Sequence, residues 1–195
     1  MTENISAAIL AGGENKRFGG IIKACIVVDG QKIISRIVRT IDDLFSEKFL
    51  VTNSPEEFRE EVHCTIISDQ IDKCGPLGGI HAALKNASGE AVFIFAGDMP
   101  YLEKHIIEIL LENFRESKFD ALLPQMGGLI EPLHAIYRKS ILGSLEKYLS
   151  ENNSRAVHDF LKTIDTGYIS IPETKANIKA FTNINSPEDI SRIIF

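Results

Sequence analysis

Short apolar runs alternate with amphipathic segments along the first two thirds of the chain. Residues 6–10 and 91–96 are apolar at nearly every position, which is typical of strands buried on both faces of a parallel sheet. In residues 34–45 and 102–114 apolar side chains recur every three or four positions, which predicts amphipathic helices. Strand followed by helix, repeated four times, predicts an open α/β sheet with right-handed crossovers.

Local patterns and glycine and proline signals predict the remaining elements. The further predicted strands are residues 24–28, 48–52, 65–67, 121–124, 132–137 and 168–171, after which residues 181–184 form another apolar segment. The further predicted helices are residues 55–62, 76–85, 141–150 and 156–164, and a last helix that Ser186 caps and Pro187 begins. Gly127 and Gly128 indicate a hairpin. We expect one α/β domain, because no linker or repeat interrupts the 195 residues.

Composition excludes several classes of protein. The net charge of −6 argues against broad binding of nucleic acid or of an anionic membrane, since both need a basic surface. No apolar run approaches the ~20 residues that cross a bilayer, and the N-terminus lacks a signal-peptide pattern. We therefore expect a cytoplasmic protein. The three cysteines form no C-x-x-C pair, so neither a disulfide framework nor a zinc site is indicated.

The first predicted strand runs into a glycine-rich, locally basic loop, residues 10–23. The loop contains Leu10, Ala11, Gly12 and Gly13, then Lys16, Arg17 and Lys23. Ligands of open α/β sheets bind at the carboxyl ends of the strands, where glycines expose backbone N–H groups to phosphate and cations neutralise its charge. The loop is neither a Walker A sequence nor G-x-G-x-x-G. Taken alone, it also fits a solvated glycine-rich turn.

Three polar residues follow other predicted strands at the same edge of the sheet. Asp98 ends the central strand and could present a hard oxygen to Mg²⁺, or could cap the helix that follows. Asn53 and Asp69 could bind the edges of a base or ribose, although both residue types are also common in turns. Their expected location beside the loop favours a ligand site.

Five segments together resemble the molybdenum cofactor guanylyltransferases. They are LAGG-x3-RFGG-x2-K at 10–23, GPLGGI at 75–80, GDMP at 97–100, PLHAIY at 132–137 and NINSPED at 183–189. The segments follow the family's order and cover nearly the whole chain. The resemblance implies a three-layer α/β/α, Rossmann-like fold of the nucleotide-diphospho-sugar transferase type. It also implies a nucleotide-binding half, about residues 1–100, and an acceptor-binding half, about residues 101–195.

The resemblance further implies transfer of GMP from GTP to molybdopterin, with Mg²⁺ as cofactor and pyrophosphate released. The implied nucleotide contacts are Leu10, Ala11, Gly12, Gly13, Lys23, Asn53, Asp69, Gly75, Pro76, Leu77 and Asp98. The implied catalytic residues are Arg17 and Lys23 on the triphosphate and Asp98 on the metal, and the implied acceptor contacts are Arg155, Asn183 and Asn185. Other cofactor-assembly proteins and molybdoenzyme apoproteins are the implied protein partners.

Other activities share much of this pattern. They are CTP-dependent cytidylyl transfer to the same pterin, guanylyl transfer to phospholactate, nucleotidyl transfer to a sugar phosphate, and a catalytically silent nucleotide-binding regulator. The chain also departs from the family at one position, since many members carry an acid directly before the loop lysine and this chain has Ile22. That difference bears on loop conformation or specificity.

Overall fold

The helices and strands are those of a computed structural model that describes residues 4–12, 21–58, 63–71 and 73–193, with side chains through residue 190. The strands are β1 Ile5–Leu10, β2 Val27–Val28, β3 Gln31–Lys32, β4 Lys48–Val51, β5 Thr65–Ile67, β6 Ala91–Ala96, β7 Ala121–Met126, β8 Leu129–Ile130, β9 His134–Arg138 and β10 Thr166–Ser170. The helices are α1 Ile33–Ile41, α2 Pro76–Asn86, α3 Lys104–Glu116, α4 Leu142–Glu151, α5 Val157–Leu161, α6 Lys175–Ala180 and α7 Pro187–Ile193. Single 3₁₀ turns cover Lys23–Cys25, Pro55–Glu57 and Lys139–Ile141.

The main sheet runs in the order β10-β7-β9-β6-β1-β4-β5, with β8 paired to β7. Its strand pairs are parallel except where β9 lies between β6 and β7 and where β8 joins β7. This confirms the predicted mostly parallel α/β sheet. Strand β9 runs in the opposite direction, so it begins at the edge where β1, β4, β5 and β6 end.

Helices cover both faces of the sheet and enclose two apolar cores. Ile9 of β1 and Phe93 of β6 lie in the core beneath α1 and α3. Ala8 and Ile94, the alternate residues of the same strands, lie in the core beneath α2 and α4. A strand points successive side chains to opposite faces, so β1 and β6 must be apolar throughout, as the sequence predicts. The result is a three-layer α/β/α arrangement.

Two local predictions differ from the structure, and one helix is absent from the predicted set. Residues 24–28, predicted as a strand, form the 3₁₀ turn Lys23–Cys25 followed by the two-residue strand β2, because Asp29 and Gly30 (φ 49° and 75°) fold the chain back into β3. The described part of the predicted helix 55–62 is only the turn Pro55–Glu57, and residues 59–62 lie outside the described residues. Helix α6 was not predicted. None of the described helices combines the length and apolarity that a membrane crossing requires.

Candidate functional site

The ammonium group of Lys23 lies between two side-chain oxygens at the carboxyl edge of the sheet. Its Nζ is 2.9 Å from Asp98 Oδ2 and 2.7 Å from Asn185 Oδ1. Lys23 follows the glycine-rich loop, Asp98 follows β6, and Asn185 precedes α7. Three segments that are distant in sequence therefore meet at one site, as the resemblance implied.

Backbone hydrogen bonds fix the turn that carries Asp98. Gly97 N–H donates to the carbonyl of Leu10 at 3.0 Å, which joins the end of β6 to the end of β1. A Cβ at Gly97 would lie 2.6 Å from that carbonyl oxygen, so only glycine allows this approach. On the other side, Ile184 N–H donates to the Asp98 carbonyl at 2.9 Å. The Asp98 turn is thus held between two other segments of the site.

The side chain of Tyr101 anchors the far end of the same turn. Its hydroxyl donates to Asp29 Oδ2 at 3.0 Å, and burial together with that carboxylate raises the pKa of Tyr101 to about 12. Cations contact its ring, with Arg36 at 5.1 Å and Lys179 at 4.2 Å from the ring centroid. Arg36 Nε also donates to the Pro100 carbonyl at 2.8 Å. Sequence reasoning did not identify this group of contacts.

Asn183 and Asn185 lie on either side of the buried Ile184. Asn183 is partly buried and Asn185 is exposed. Asp189 in the first turn of α7 accepts hydrogen bonds from the backbone N–H groups of Asn185 and Ser186, each at 2.8 Å. The start of α7, which the sequence predicted, therefore fixes the position of the asparagine that contacts Lys23.

Glu131, which sequence reasoning missed, adds a second carboxylate beside these groups. Burial raises its pKa and the charge of Asp98 raises it further, whereas hydrogen bonds from Leu133 N–H and from the Asn183 side chain lower it. His158 of α5 also interacts electrostatically with it. Glu131 directly precedes the PLHAIY segment and sits at this edge because β9 is antiparallel.

Asn53 and Asp69 come together at the ends of β4 and β5, as predicted. Asn53 Oδ1 accepts a hydrogen bond from the backbone N–H of Asp69 at 3.2 Å. Burial raises the pKa of Asp69, and the charge of His81 partly offsets this effect. Asp69 Oδ1 is buried and has no hydrogen-bond partner within the described part of the chain.

The first turn of α2 presents backbone groups, rather than polar side chains, at this edge of the sheet. Gly75 adopts a φ of 54°, and Gly75 and Pro76 are exposed, whereas the Leu77 side chain is buried in the core. A helix N-terminus offers unpaired N–H groups and the positive end of the helix dipole to an anion. At the neighbouring end of β1, Ala11 is buried and Gly12 is exposed. Leu10 packs so closely on α2 that a Cβ at Gly79 would lie 2.9 Å from Leu10 Cδ2.

The remaining candidates stand apart from this group. Gly13 and Arg17 lie outside the described residues. Arg155 lies between α4 and α5, where its Nη1 donates to the carbonyls of Asn152 and Ser154, and within the described part of the chain it makes no hydrogen bond to Asp98, Asn183 or Asn185. Ile22, where the chain departs from the family, packs against the apolar core.

The oxygens of Asp98 and Asn185 suit a hard cation. Among the described residues, no cluster of three or more His, Cys, Asp and Glu side chains could hold a metal ion. Mg²⁺ commonly takes only one or two carboxylates and fills its remaining positions with water and substrate phosphate oxygens. The donor set therefore fits Mg²⁺ held jointly with a bound phosphate, and does not resemble a closed structural metal site.

The known proteins that are similar to this chain carry names from one family. Residues 7–165 match the MobA-like NTP transferase domain. A protein of Natranaerobius thermophilus named as a probable molybdenum cofactor guanylyltransferase is 34% identical over 98% of this chain and 96% of its own length. One of the same name from Peptoclostridium acidaminophilum is 37% identical over 95% of this chain and 86% of its own.

A solved structure extends the likeness to the fold. The crystal structure of molybdopterin-guanine dinucleotide biosynthesis protein A from Archaeoglobus fulgidus matches with a TM-score of 0.81 and 26% identity. The match covers 96% of this chain and 95% of that one. Sequence and fold thus agree, and this chain belongs to the MobA-like NTP transferase family.

Proposed function

We propose that this protein transfers GMP from GTP to molybdopterin, forming molybdopterin guanine dinucleotide and releasing pyrophosphate. The observation that carries the proposal is the contact of Lys23 with both Asp98 and Asn185, which joins the phosphate-loop segment to the NINSPED segment. The names of the relatives supply the substrates. An oxygen of the pterin phosphate forms a bond to the α-phosphorus of GTP, and the bond from that phosphorus to the bridging oxygen of pyrophosphate breaks.

Charge neutralisation and alignment are the main demands of this reaction. The acceptor phosphate is already ionised at neutral pH, so no protein nucleophile is required, and two anions must be brought into line. Lys23 and Arg17 neutralise the triphosphate, and the backbone N–H groups of Gly12 and Gly13 stabilise the leaving pyrophosphate. Mg²⁺, held by Asp98 and Asn185 together with phosphate oxygens, supplies further neutralisation when bound.

The nucleoside lies on the side of Asn53, Asp69 and the first turn of α2. Asp69 offers carboxylate oxygens to N–H groups of the base or to ribose hydroxyls, and Asn53, already bonded to the Asp69 backbone, fixes the spacing of the two strand ends. Leu10 and Ala11, with Gly75, Pro76 and Leu77, line this side through their backbone, because Ala11 and Leu77 are buried.

The acceptor lies on the opposite side of Asp98, against Asn183 and Asn185. Glu131 lies on this side, where Asn183 and His158 of α5 both lower its pKa. Arg155, which precedes α5, is the cation that we propose for the pterin on this side, as the resemblance implies. Cofactor-assembly proteins and molybdoenzyme apoproteins are the proposed partners for delivery and release, in the cytoplasm.

A pyrophosphate-release assay tests the proposal. We expect pyrophosphate release from Mg-GTP that depends on added molybdopterin and that CTP does not support at equal concentration. Asp98→Ala should slow this release by ~10²–10³. Pyrophosphate release that requires a sugar phosphate or phospholactate instead of molybdopterin would show that the acceptor is that molecule. No release with any acceptor would leave a nucleotide-binding protein without transferase activity.

A further inference from the structure

Arg36 of α1 contacts two segments of the candidate site although it belongs to neither. Its Nε donates to the Pro100 carbonyl at 2.8 Å, and its Nη1 donates to the Val28 carbonyl at 3.4 Å. Pro100 follows Asp98 by two residues. Val28 follows Lys23 by five residues. One guanidinium therefore joins the segment that carries the site carboxylate to the segment that carries the site lysine.

A second contact links the same two segments. The Tyr101 hydroxyl donates to Asp29 Oδ2 at 3.0 Å. The Arg36 guanidinium lies 3.8 Å from the same oxygen and 5.1 Å from the centroid of the Tyr101 ring. A guanidinium is planar and presents its donors in a rigid fork, so it can hold two acceptors and an aromatic ring in one arrangement. Because only 19% of the Arg36 side chain is exposed, water competes little for these donors.

Helix α1 provides a fixed base for this side chain, because its buried isoleucines are part of the apolar core. The N–H of Ile33 also donates to the Ile26 carbonyl at 2.9 Å, which ties the start of the helix to the segment of the site lysine. That segment is therefore held by backbone as well as by Arg36. Pro100 has no N–H, so its carbonyl is the only polar backbone group through which that residue can be held. Loss of Arg36 should consequently displace the Asp98 turn more than the lysine.

We propose that Arg36 is a positioning residue that determines where the Asp98 carboxylate lies relative to Mg²⁺ and the triphosphate. The inference rests on the proposed function, because it takes Asp98 as a ligand of the metal ion. Arg36 acts through the Asp98 turn, since it bonds to backbone carbonyls and not to substrate. A misplacement of about 1 Å at a reacting group can cost ~10² in rate, so such a residue can still control turnover.

Arg138 offers a matched arginine with the same kinds of contact away from the site. Its Nε donates to the Phe119 carbonyl at 2.8 Å and its Nη2 donates to the Ser117 carbonyl at 2.6 Å. Its guanidinium lies 4.3 Å from the centroid of the Phe114 ring. Arg138 is the last residue of β9, and β9 begins at the edge of the site, so Arg138 lies at the opposite edge of the sheet. Arg138→Met should therefore remove comparable contacts without displacing the Asp98 turn.

Calorimetry of GTP binding to the full chain, with Mg²⁺ and with the metal removed by EDTA, tests the inference without measuring activity. We expect Arg36→Met to reduce the gain in GTP affinity that Mg²⁺ confers by about three- to tenfold, the range for one lost hydrogen bond. The affinity in EDTA should stay close to that of the wild-type protein. Arg138→Met should keep the wild-type gain. The same gain in Arg36→Met as in Arg138→Met would overturn the inference.

Steady-state kinetics separates positioning from a general loss of stability. Arg36→Met should lower kcat by about ten- to a hundredfold and change KM for molybdopterin much less. Arg36→Lys keeps a charged donor for one carbonyl and should recover part of the loss. Arg138→Met should lower the midpoint of urea unfolding as much as Arg36→Met does, yet keep the wild-type kcat. Equal kcat values for the two methionine variants would contradict the proposal.

A double substitution tests whether Arg36 acts through Asp98. With Asp98→Ala already present, Arg36→Met should lower kcat no further, because the turn then carries no carboxylate to position. Effects of the two changes that multiply would exclude this route.

Tyr101→Phe carries the test where Arg36→Met does not fold. It removes only the hydroxyl that bonds to Asp29 and keeps the ring beside Arg36, so the gain in GTP affinity from Mg²⁺ should fall about threefold. An unchanged gain would then overturn the inference.

Wild-type behaviour separates this inference from the proposed function. If the variants show the expected Mg²⁺-dependent pattern of GTP binding but the wild-type protein forms no dinucleotide, guanylyl transfer fails and the inference stands. If the wild-type protein forms the dinucleotide and Arg36→Met behaves as Arg138→Met does, the inference alone fails. If the wild-type protein binds no nucleoside triphosphate, both fail.

Discussion

Lys23 Nζ and Asp98 Oδ2 lie 2.9 Å apart although 75 residues separate them in the sequence. The contact joins the end of the glycine-rich loop to the end of the central strand. Both side chains remain about one quarter exposed, so the pair is accessible to a ligand and contributes little to the stability of the fold. The proposed function gives the pair a role in binding the triphosphate and Mg²⁺.

Removing either partner should reduce turnover without unfolding the protein. Loss of one preorganised contact to a developing charge typically costs ~10²–10³ in rate, and we expect this from Lys23→Ala and from Asp98→Ala in steady-state guanylyl transfer. Lys104→Ala breaks another lysine–aspartate pair, Lys104–Asp43 at 2.5 Å, away from the site and should keep wild-type turnover. Near-normal transfer by the Lys23 or Asp98 variant would show that the site is wrongly placed.

Gly97 should tolerate no side chain. A Cβ there would lie 2.6 Å from the Leu10 carbonyl oxygen, so Gly97→Ala must displace the Asp98 turn, at a cost of about 1–3 kcal/mol in the free energy of unfolding and with a loss of turnover. Gly143→Ala is the matched change, because no heavy atom lies within 4 Å of that Cβ position in α4. It should be neutral or stabilise by up to about 1 kcal/mol. Urea unfolding of both variants measures the difference, and equal stabilities would refute the close approach.

Glu131 should affect the acceptor and not the nucleotide. The Asn183 side chain lowers the pKa of Glu131, so the two groups interact, and Glu131→Ala should raise KM for molybdopterin by about three- to tenfold, the range expected for one lost polar interaction, and leave KM for GTP unchanged. Glu131→Gln keeps an acceptor oxygen and should recover most of the loss. Glu116→Ala, an exposed change on α3, is the control. An increase confined to KM for GTP would show that Glu131 acts on the nucleotide and that its assignment to the acceptor side is wrong.

His134 should make the protein acid-sensitive. Its ring is buried among Phe93, Phe95 and Phe181, and burial lowers the pKa of His134 from 6.5 to about 3. Below pH 6.5 His134 binds a proton in the unfolded chain but stays neutral in the folded chain. The free energy of unfolding therefore falls progressively down to about pH 3. At pH 5 the loss is already about 2 kcal/mol.

His134→Phe should remove this dependence, because phenylalanine needs no proton. Denaturant unfolding near pH 8 and near pH 5 should show the variant gaining on the wild-type protein by about 2 kcal/mol at the lower pH. His63→Phe, a change at an exposed histidine, should show no such gain. A stability difference between His134→Phe and wild type that is independent of pH would exclude a buried neutral imidazole.

The sequence was sufficient to predict the parallel part of the sheet and the residues at its carboxyl edge. Asp98 and Asn53 follow apolar strands, and parallel strands end at one edge, so their location at the same edge of the sheet follows from periodicity alone. Glu131 could not be found in this way, because it precedes a strand, and only the antiparallel direction of β9 brings a preceding residue to this edge. No local pattern in residues 132–137 reveals that direction.

The sequence also does not predict short elements or the directions of individual side chains. Helix α6 has six residues, and its main local signal is Thr174, whose hydroxyl accepts a hydrogen bond from Asn177 N–H. Arg155 was assigned to the acceptor by resemblance, yet its guanidinium bonds to neighbouring carbonyls, a choice that depends on how the chain leaves α4. The spacing of residues in a sequence does not predict which of several nearby carbonyls accepts a hydrogen bond from a guanidinium.

Mass detection of the product tests the central claim most directly. The wild-type protein is incubated with molybdopterin, Mg²⁺ and equal concentrations of GTP and CTP, with Asp98→Ala in parallel. We predict molybdopterin guanine dinucleotide from the wild-type protein and ~10²–10³ times less of it from the variant at equal incubation times. A cytosine dinucleotide as the main product, or a guanine dinucleotide formed equally well by Asp98→Ala, would contradict the account.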